Sequence, residues 1–125
     1  MEYKDQLILH GPDKIGDCFR ACLATIIGKQ VLAVPHFALL GHDHFMSTAI
    51  GWLSLHGYEV DTDPDGYDSE GLKPLPLHVM RGLGGRGVRH AVVGDTATGK
   101  MVHDPHPSRE GLLVLESRLY LFPRR

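Results

Sequence analysis

The chain has 125 residues, 42% of them hydrophobic, and a formal net charge of −2 at pH 7. This length supports one compact core but not two, so we expect a single domain over residues 1–125. The weak charge and the lack of a long basic run disfavour a nucleic-acid-binding function. Charged residues occupy the N-terminus where a signal peptide needs an apolar segment, and no apolar run reaches membrane-spanning length. The sequence therefore predicts a cytoplasmic protein without a membrane partner.

Hydrophobic periodicity divides the chain into a helical first half and a strand-rich second half. The clearest helix begins at Cys18, where apolar residues recur at helical spacing until Gly28 supplies a stop. Helices followed by antiparallel strands indicate an α+β domain with an early helix packed on a small antiparallel sheet. The predicted elements are a strand over 3–9, a helix over 18–27, a short helical or irregular segment over 31–40, a helix over 45–56, strands over 58–60, 76–80, 88–94, 100–103 and 118–122, and a glycine-rich loop over 82–87.

Two cysteines, Cys18 and Cys22, lie one turn apart on the first predicted helix, where a disulfide between them would be strained. We therefore expect two free thiols. Cys22 falls on the apolar stripe and is predicted to face the core, whereas Cys18 falls off it and is predicted to face a cleft. With Asp17 as an outward-facing N-cap, Cys18 occupies the first helical turn. A helix N-terminus stabilises a thiolate, and the backbone N–H of Cys18 is free to bind a developing oxyanion.

A histidine and an aspartate lie in a predicted hairpin downstream. If the hairpin loop is residues 97–99, with Gly99 in the left-handed conformation, His90 and Asp104 share one face as diagonal neighbours. Their Cα atoms are then about 7–8 Å apart, within reach of a hydrogen bond between the side chains. This arrangement predicts Cys18 as nucleophile, His90 as base and Asp104 as the group that orients the base. The side-chain amide of Gln6 is the candidate for a second oxyanion donor.

Three separated motifs carry these residues: Asp17-Cys18-x-x-Ala21-Cys22-Leu23, His90-Ala91-Val92-Val93 and Asp104-Pro105. Together they resemble the papain-like cysteine peptidases that process the double-glycine leaders of bacteriocins, and small bacterial and phage proteins of the same fold. The resemblance spans roughly residues 6–105 and implies a papain-like cysteine protease fold with Cys18, His90 and Asp104 catalytic. It also implies an oxyanion-hole glutamine upstream of the cysteine, although Gln6 lies farther upstream than the glutamine of that family.

The sequence thus predicts a cysteine hydrolase that attacks an amide or related acyl bond of a peptide or protein through a thioester on Cys18, without a cofactor. Peptidase, isopeptidase, amidase and deamidase reactions remain open. Acyl transfer to an amine on the same triad, and a non-catalytic binding or inhibitory module of the same fold, are the alternatives. Neither the substrate-binding residues nor the oligomeric state can be read from the sequence.

Nine histidines raise the alternative of a metal enzyme. One cluster is His42-Asp43-His44, and in the predicted hairpin register His106 lies opposite His90, so that His90, Asp104 and His106 form an open two-histidine, one-carboxylate site. Neither cluster has a helix-borne zinc spacing, so the sequence predicts no metal site.

Two further patterns are incomplete. Residues 61–66 begin like a calcium-binding loop, but Leu72 stands where such a loop needs a bidentate glutamate, so we expect a solvated acidic turn. Residues 82–87 match GxGxxG, but a strand and not a helix follows, which leaves no helix N-terminus for a phosphate. Two roles are open for this segment: a flexible loop or gate beside His90, or a place where Arg81, Arg86 and Arg89 offer positive charge to an acidic group of the substrate.

Overall fold

The computed structural model describes residues 2–41, 43–62 and 73–124. These residues form two α-helices, two short 3-10 helices and one antiparallel sheet of five strands, which confirms the predicted α+β class. Within them, no helix has both the length and the apolarity needed to cross a membrane. In chain order, the elements are α1 (Cys18–Ile27), 3-10 helices at Val31–Ala33 and Phe37–Leu40, α2 (Phe45–Leu55), β1 (Tyr58–Asp61), β2 (Leu77–Gly84), β3 (Arg89–Asp95), β4 (Met101–His103) and β5 (Leu112–Pro123).

Helix α1 packs on the sheet through the apolar stripe that its sequence predicts. The sheet order is β1-β5-β2-β3-β4, and α1 contacts β3 and β2. Cys22 and Leu23 of α1 are fully buried in one core with Val79, Val93 and Leu119 of the sheet. The helix ends as predicted at Gly28, which adopts the left-handed conformation and donates its N–H to the Ala24 carbonyl. This packing holds the N-terminal turn of α1 at one end of the strands.

The hairpin of β3 and β4 has the predicted register where it approaches the candidate site. Gly99 adopts the left-handed conformation in the turn, and Val93 pairs with His103, as the prediction requires. The predicted loop is wrong by one residue: Gly94 pairs with Met101 and the Asp95 N–H donates to the Lys100 carbonyl, so the connection is 96–99 rather than 97–99. A register shift between Val93 and Gly94 restores the predicted pairing. Because β4 ends at His103, Asp104 lies just beyond the strand. The predicted position of His106 opposite His90 in the ladder is therefore wrong.

The N-terminal segment differs from its prediction. Residues 3–9 lie within the described part of the chain and form no strand. Their hydrogen-bonding groups are used otherwise: the Gln6 N–H donates to the Pro105 carbonyl at 3.1 Å, and the N–H groups of Leu7 and Ile8 donate to Asp17 Oδ1. The segment is thus held by side-chain and loop contacts rather than by a ladder.

The glycine-rich loop and the last strand are also corrected. Strand β2 continues through Gly82 to Gly84, so only residues 85–88 connect it to β3. Position 82 lies at a bulge between β2 and β5, and it requires glycine because a Cβ there would lie 1.9 Å from the backbone oxygen of Val114. Strand β5 begins at Leu112, well before the predicted residue 118. The segment 63–72, which holds most of the acidic turn, and His42 of the histidine cluster lie outside the described residues.

Candidate active site

The N-terminal turn of α1 presents one thiol to a cavity and buries the other. Cys18 is the first residue of the helix and is partly exposed, whereas Cys22 has an exposed fraction of 0%. Both are free thiols, as predicted. Burial raises the pKa of the Cys22 thiol well above its ordinary value, so this thiol stays protonated. The predicted division between a core Cys22 and a cleft-facing Cys18 is confirmed.

A cavity of about 770 Å³ brings the candidate site residues together. Gln6, Cys18 and His90 all line it, although they come from the N-terminal segment, α1 and β3. Asp104 does not line the cavity, but it contacts His90 from the buried side. The structure thus assembles all four sequence-predicted residues at one end of the sheet.

His90 and Asp104 form a buried pair. His90 Nε2 lies 2.6 Å from Asp104 Oδ1, and the two residues have exposed fractions of 6% and 1%. With Nε2–H donating to the carboxylate, Nδ1 is the ring nitrogen left for a proton from Cys18. Gly84 makes room for the ring, because a Cβ at this position would lie 3.1 Å from the Cβ of His90.

The electrostatics of the pair favour its charged form. Burial alone would lower the pKa of His90, but its interactions with Asp104 and with the Cys18 side chain outweigh burial and raise the pKa to about 9. Burial would raise the pKa of Asp104, but hydrogen bonds from His90 and from two backbone N–H groups lower it to about 2. At neutral pH the pair is therefore an imidazolium and a carboxylate.

The loop after β4 encloses the carboxylate of Asp104. The N–H of His106 donates to Oδ1 at 2.9 Å, and the N–H of Gly111 donates to Oδ2 at 2.8 Å. Gly111 has a φ of 76°, a left-handed conformation that suits glycine, and this places its N–H toward the carboxylate. Arg109 closes the loop by donating to the Asp104 carbonyl and to the Asp5 carboxylate. Both oxygens of Asp104 are thus fixed before any substrate binds.

Gln6 lies in the cavity wall with one amide hydrogen committed elsewhere. Its Nε2 donates to the Ile8 carbonyl at 2.7 Å, which leaves a second N–H on the same nitrogen. Its Oε1 is buried and has no hydrogen-bond partner among the described residues. The second Nε2–H has no partner among the described residues, and Gln6 lines the same cavity as Cys18, whose helix N-terminus lacks internal acceptors for its first N–H groups.

Asp17 has a different role from the predicted outward-facing cap. It occupies the N-cap position, but its side chain makes no capping hydrogen bond and its exposed fraction is 0%. Instead Oδ1 accepts the N–H groups of Leu7 and Ile8 at 2.9 and 2.8 Å, and the Arg20 guanidinium lies 3.5 Å from Oδ2. Asp17 therefore anchors the segment that carries Gln6 beside Cys18.

The metal alternative finds little support in the geometry. The described residues contain no group of three or more His, Cys, Asp or Glu side chains able to hold a metal ion. The His106 ring lies edge-on to His90 at 6.2 Å between ring centres, and its Nδ1 is hydrogen-bonded to Ser108. Since both Asp104 oxygens already accept hydrogen bonds, the predicted set of two histidines and one carboxylate is not arranged as ligands.

The sequence-based hypothesis misses three supporting roles: those of Asp17, which it predicts only as an outward-facing cap, of Gly84 and of Gly111. Asp17 contacts backbone groups, which no side-chain motif reveals. Gly82 and Gly84, which closely follow the predicted strand 76–80, are a usable signal, because glycine within a strand often marks a close approach of another group. No sequence signal indicates the role of Gly111, because that role depends on the path of the loop that precedes it.

Comparison with known proteins identifies no relative. No protein-family model matches the chain, and no curated protein and no solved structure is significantly similar to it. The likeness to papain-like peptidases stays a prediction from the sequence motifs. What the protein does must therefore be inferred from the geometry of Cys18, His90 and Asp104.

Proposed function

We propose that this protein is a papain-like cysteine hydrolase that cleaves an amide or related acyl bond of a peptide or protein through a thioester on Cys18. The observation that carries the proposal is the buried His90–Asp104 pair, which interacts with a cavity-lining cysteine at a helix N-terminus. Action in the cytoplasm and the absence of a cofactor belong to the same proposal.

In the acylation step, the Cys18 thiolate attacks the carbonyl carbon and the carbonyl π electrons move onto the oxygen. The backbone N–H of Cys18 and the side-chain N–H of Gln6 would stabilise that oxyanion. When the tetrahedral species collapses, the C–N bond breaks and the leaving amine takes a proton from Nδ1 of His90. The product is a thioester on Cys18 and a neutral imidazole.

In the deacylation step, His90 accepts a proton from water while the water oxygen attacks the thioester carbonyl. Collapse of the second tetrahedral species breaks the C–S bond and releases a carboxylic acid. The thiolate and the imidazolium are then restored. Throughout, Asp104 holds the ring with Nδ1 toward Cys18 and stabilises the imidazolium, as its 2.6 Å contact with Nε2 allows.

The reactivity of Cys18 tests the thiol and its base. We expect iodoacetamide to label Cys18 rapidly at neutral pH, because an imidazolium partner stabilises the thiolate. His90→Ala should slow the labelling about tenfold or more at this pH. His56→Ala is the matched control, since His56 follows the end of α2, stacks on Trp52 and does not line the cavity. Slow labelling of the unmodified protein that His90→Ala leaves unchanged would contradict the proposal.

Turnover is tested separately, because a binding module of the same fold can keep a reactive thiol. The protein is incubated with a complex mixture of unmodified proteins, and newly formed peptide ends and newly hydrolysed side-chain amides are identified by mass spectrometry. Products that appear with the unmodified protein and disappear with Cys18→Ala support the hydrolase. Their absence, despite a reactive Cys18, favours the non-catalytic module.

A further inference from the structure

The described residues that line the cavity carry an excess of positive charge. Arg81, Arg86 and Arg89 line the cavity, whereas Glu116 is the one acidic residue among its lining residues within the described part of the chain. Glu116 forms an ion pair with Arg89 and so neutralises one of the three arginines. Arg86 donates to the Ser108 hydroxyl at 3.1 Å, and no carboxylate among the described residues forms an ion pair with it.

Arg81 is the most confined of the three. It follows Met80 on β2, pairs with Ala91 and Ser117 on the neighbouring strands, and directly precedes Gly82, the partner of His90. Its Nε donates to the Ser117 hydroxyl at 3.3 Å, and both Nη groups are without a partner among the described residues. Burial, and next the neighbouring charge of Arg89, lower the pKa of Arg81. A half-buried guanidinium that has lost water and gained only a hydroxyl is stabilised by an anion.

We propose that Arg81, supported by the positive charge of Arg86, forms an anion subsite in the cavity that binds a carboxylate of the substrate next to the scissile bond. This inference rests on the proposed hydrolase function, because the bound carboxylate belongs to a substrate only if the protein is a hydrolase. The two Nη groups form a planar fork that matches a carboxylate with two parallel hydrogen bonds. Carboxylates are also the anionic groups that unmodified peptides carry.

Such a carboxylate has two sources, an acidic side chain or the free C-terminus of the peptide. Three small compounds of nearly equal size separate them: N-acetylglutamine amide is neutral, N-acetylglutamine carries only the α-carboxylate, and the α-amide of N-acetylglutamate carries only the side-chain carboxylate. Each is titrated against the protein by NMR, independently of thiol reactivity. The subsite predicts that one or both anionic compounds shift the Arg81 side-chain resonance, that the neutral one does not, and that the stronger of the two identifies the source.

The charge of the subsite is tested by comparing two alkylating reagents on Cys18. Iodoacetate is an anion and iodoacetamide is its neutral analogue. The rate with iodoacetate divided by the rate with iodoacetamide is independent of the thiolate fraction and therefore reports the electrostatic potential at Cys18. Arg81→Gln should lower this ratio on the order of threefold. Arg124→Gln removes the same charge at a position outside the cavity and should leave the ratio unchanged. Arg81→Lys keeps the charge and should retain the ratio while weakening the binding of the anionic compound.

The outcomes separate the two proposals. An unchanged ratio in Arg81→Gln, together with equal NMR responses to anionic and neutral compounds, overturns the subsite and leaves the hydrolase standing if His90→Ala still slows the reaction with iodoacetamide. A lowered ratio and selective NMR shifts uphold the subsite as a binding site even if no hydrolysis is found. Stronger binding of inorganic phosphate than of either carboxylate would overturn the assignment to a carboxylate.

Discussion

Replacing Asp104 by asparagine removes the charge that stabilises the His90 imidazolium and keeps an oxygen that can accept Nε2–H. The pKa of His90 is about 9, against an ordinary value of 6.5. The difference, 9 minus 6.5, is about 2.5 pH units, or about 3.4 kcal/mol in favour of the protonated ring. Burial opposes protonation, so Asp104 and Cys18 together supply more than this amount. We expect Asp104→Asn to lower the pKa of His90 by at least about one unit, roughly 1.4 kcal/mol.

The assay is an NMR titration of the His90 ring, with Asp5→Asn as the matched control. Asp5 is a half-exposed carboxylate that pairs with Arg109 and His103 rather than with His90. The unmodified protein and the control should titrate near pH 9, and Asp104→Asn at least about one unit lower. A His90 midpoint near 6.5 in the unmodified protein, or the same midpoint with and without Asp104, would refute the reasoning.

The raised pKa of His90 also makes the free energy of unfolding depend on pH. The folded protein binds the His90 proton more tightly than the unfolded chain does. This contribution to the free energy of unfolding is therefore complete below pH 6.5, and it is lost as the pH rises from 6.5 to about 9. In Asp104→Asn the loss should be smaller and should occur over a narrower range of pH. Urea denaturation at a series of pH values measures it.

Two further changes test other parts of the structure. Asp17→Ala removes the acceptor of the Leu7 and Ile8 N–H groups. It should lower the free energy of unfolding by about 2–3 kcal/mol and speed hydrogen exchange at both amides. Asp13→Ala, at an exposed position, is the control, and unchanged exchange at the two amides would contradict the anchoring role of Asp17. Burial, and next the charge of Arg118, lower the pKa of His78 to about 4, so its contribution to stability is complete above pH 6.5 and falls by about 3 kcal/mol as the pH drops to 4. His78→Gln should remove this pH dependence of the free energy of unfolding, measured by urea denaturation. The same loss of stability between pH 6.5 and 4 with and without His78 would show that His78 is not its cause.

Local signals in the sequence are sufficient for the helix and for the turn of the hairpin. Apolar spacing and a stop glycine define α1 because these interactions lie within one or two turns of the chain. Gly99 similarly marks the turn of the hairpin, but the predicted pairing of Val93 with His103 also depends on a register shift between Val93 and Gly94 that the sequence does not reveal. These two elements are enough to predict that Cys18 faces a cleft and that His90 and Asp104 meet.

Tertiary contacts explain two of the errors. By composition, the glycines of β2 indicate a loop. Gly82 nevertheless lies in a strand, where glycine is required because the backbone of Val114 is too close for any side chain. The prediction starts β5 only at residue 118, because residues 112–115 form one apolar run without the alternation that indicates a half-buried strand. Residues 3–9 do not form a strand because the side chain of Asp17 accepts N–H groups that a ladder would use. The errors at Gly82 and at residues 3–9 thus come from contacts with other segments of the chain, which local patterns do not contain.

The attachments of the N-terminal segment give the candidate site an unusual chain connectivity. Asp5 pairs with Arg109 across 104 positions, and the carbonyl of Lys4 contacts His103 across 99. Closing such long loops has an entropic cost that is recovered only when most of the core is in place. The Gln6 amide should therefore reach Cys18 late in folding, after α1 has packed on β3. The rate at which Cys18 gains its full reactivity during refolding would then report the final step of assembly rather than the formation of the helix that carries it.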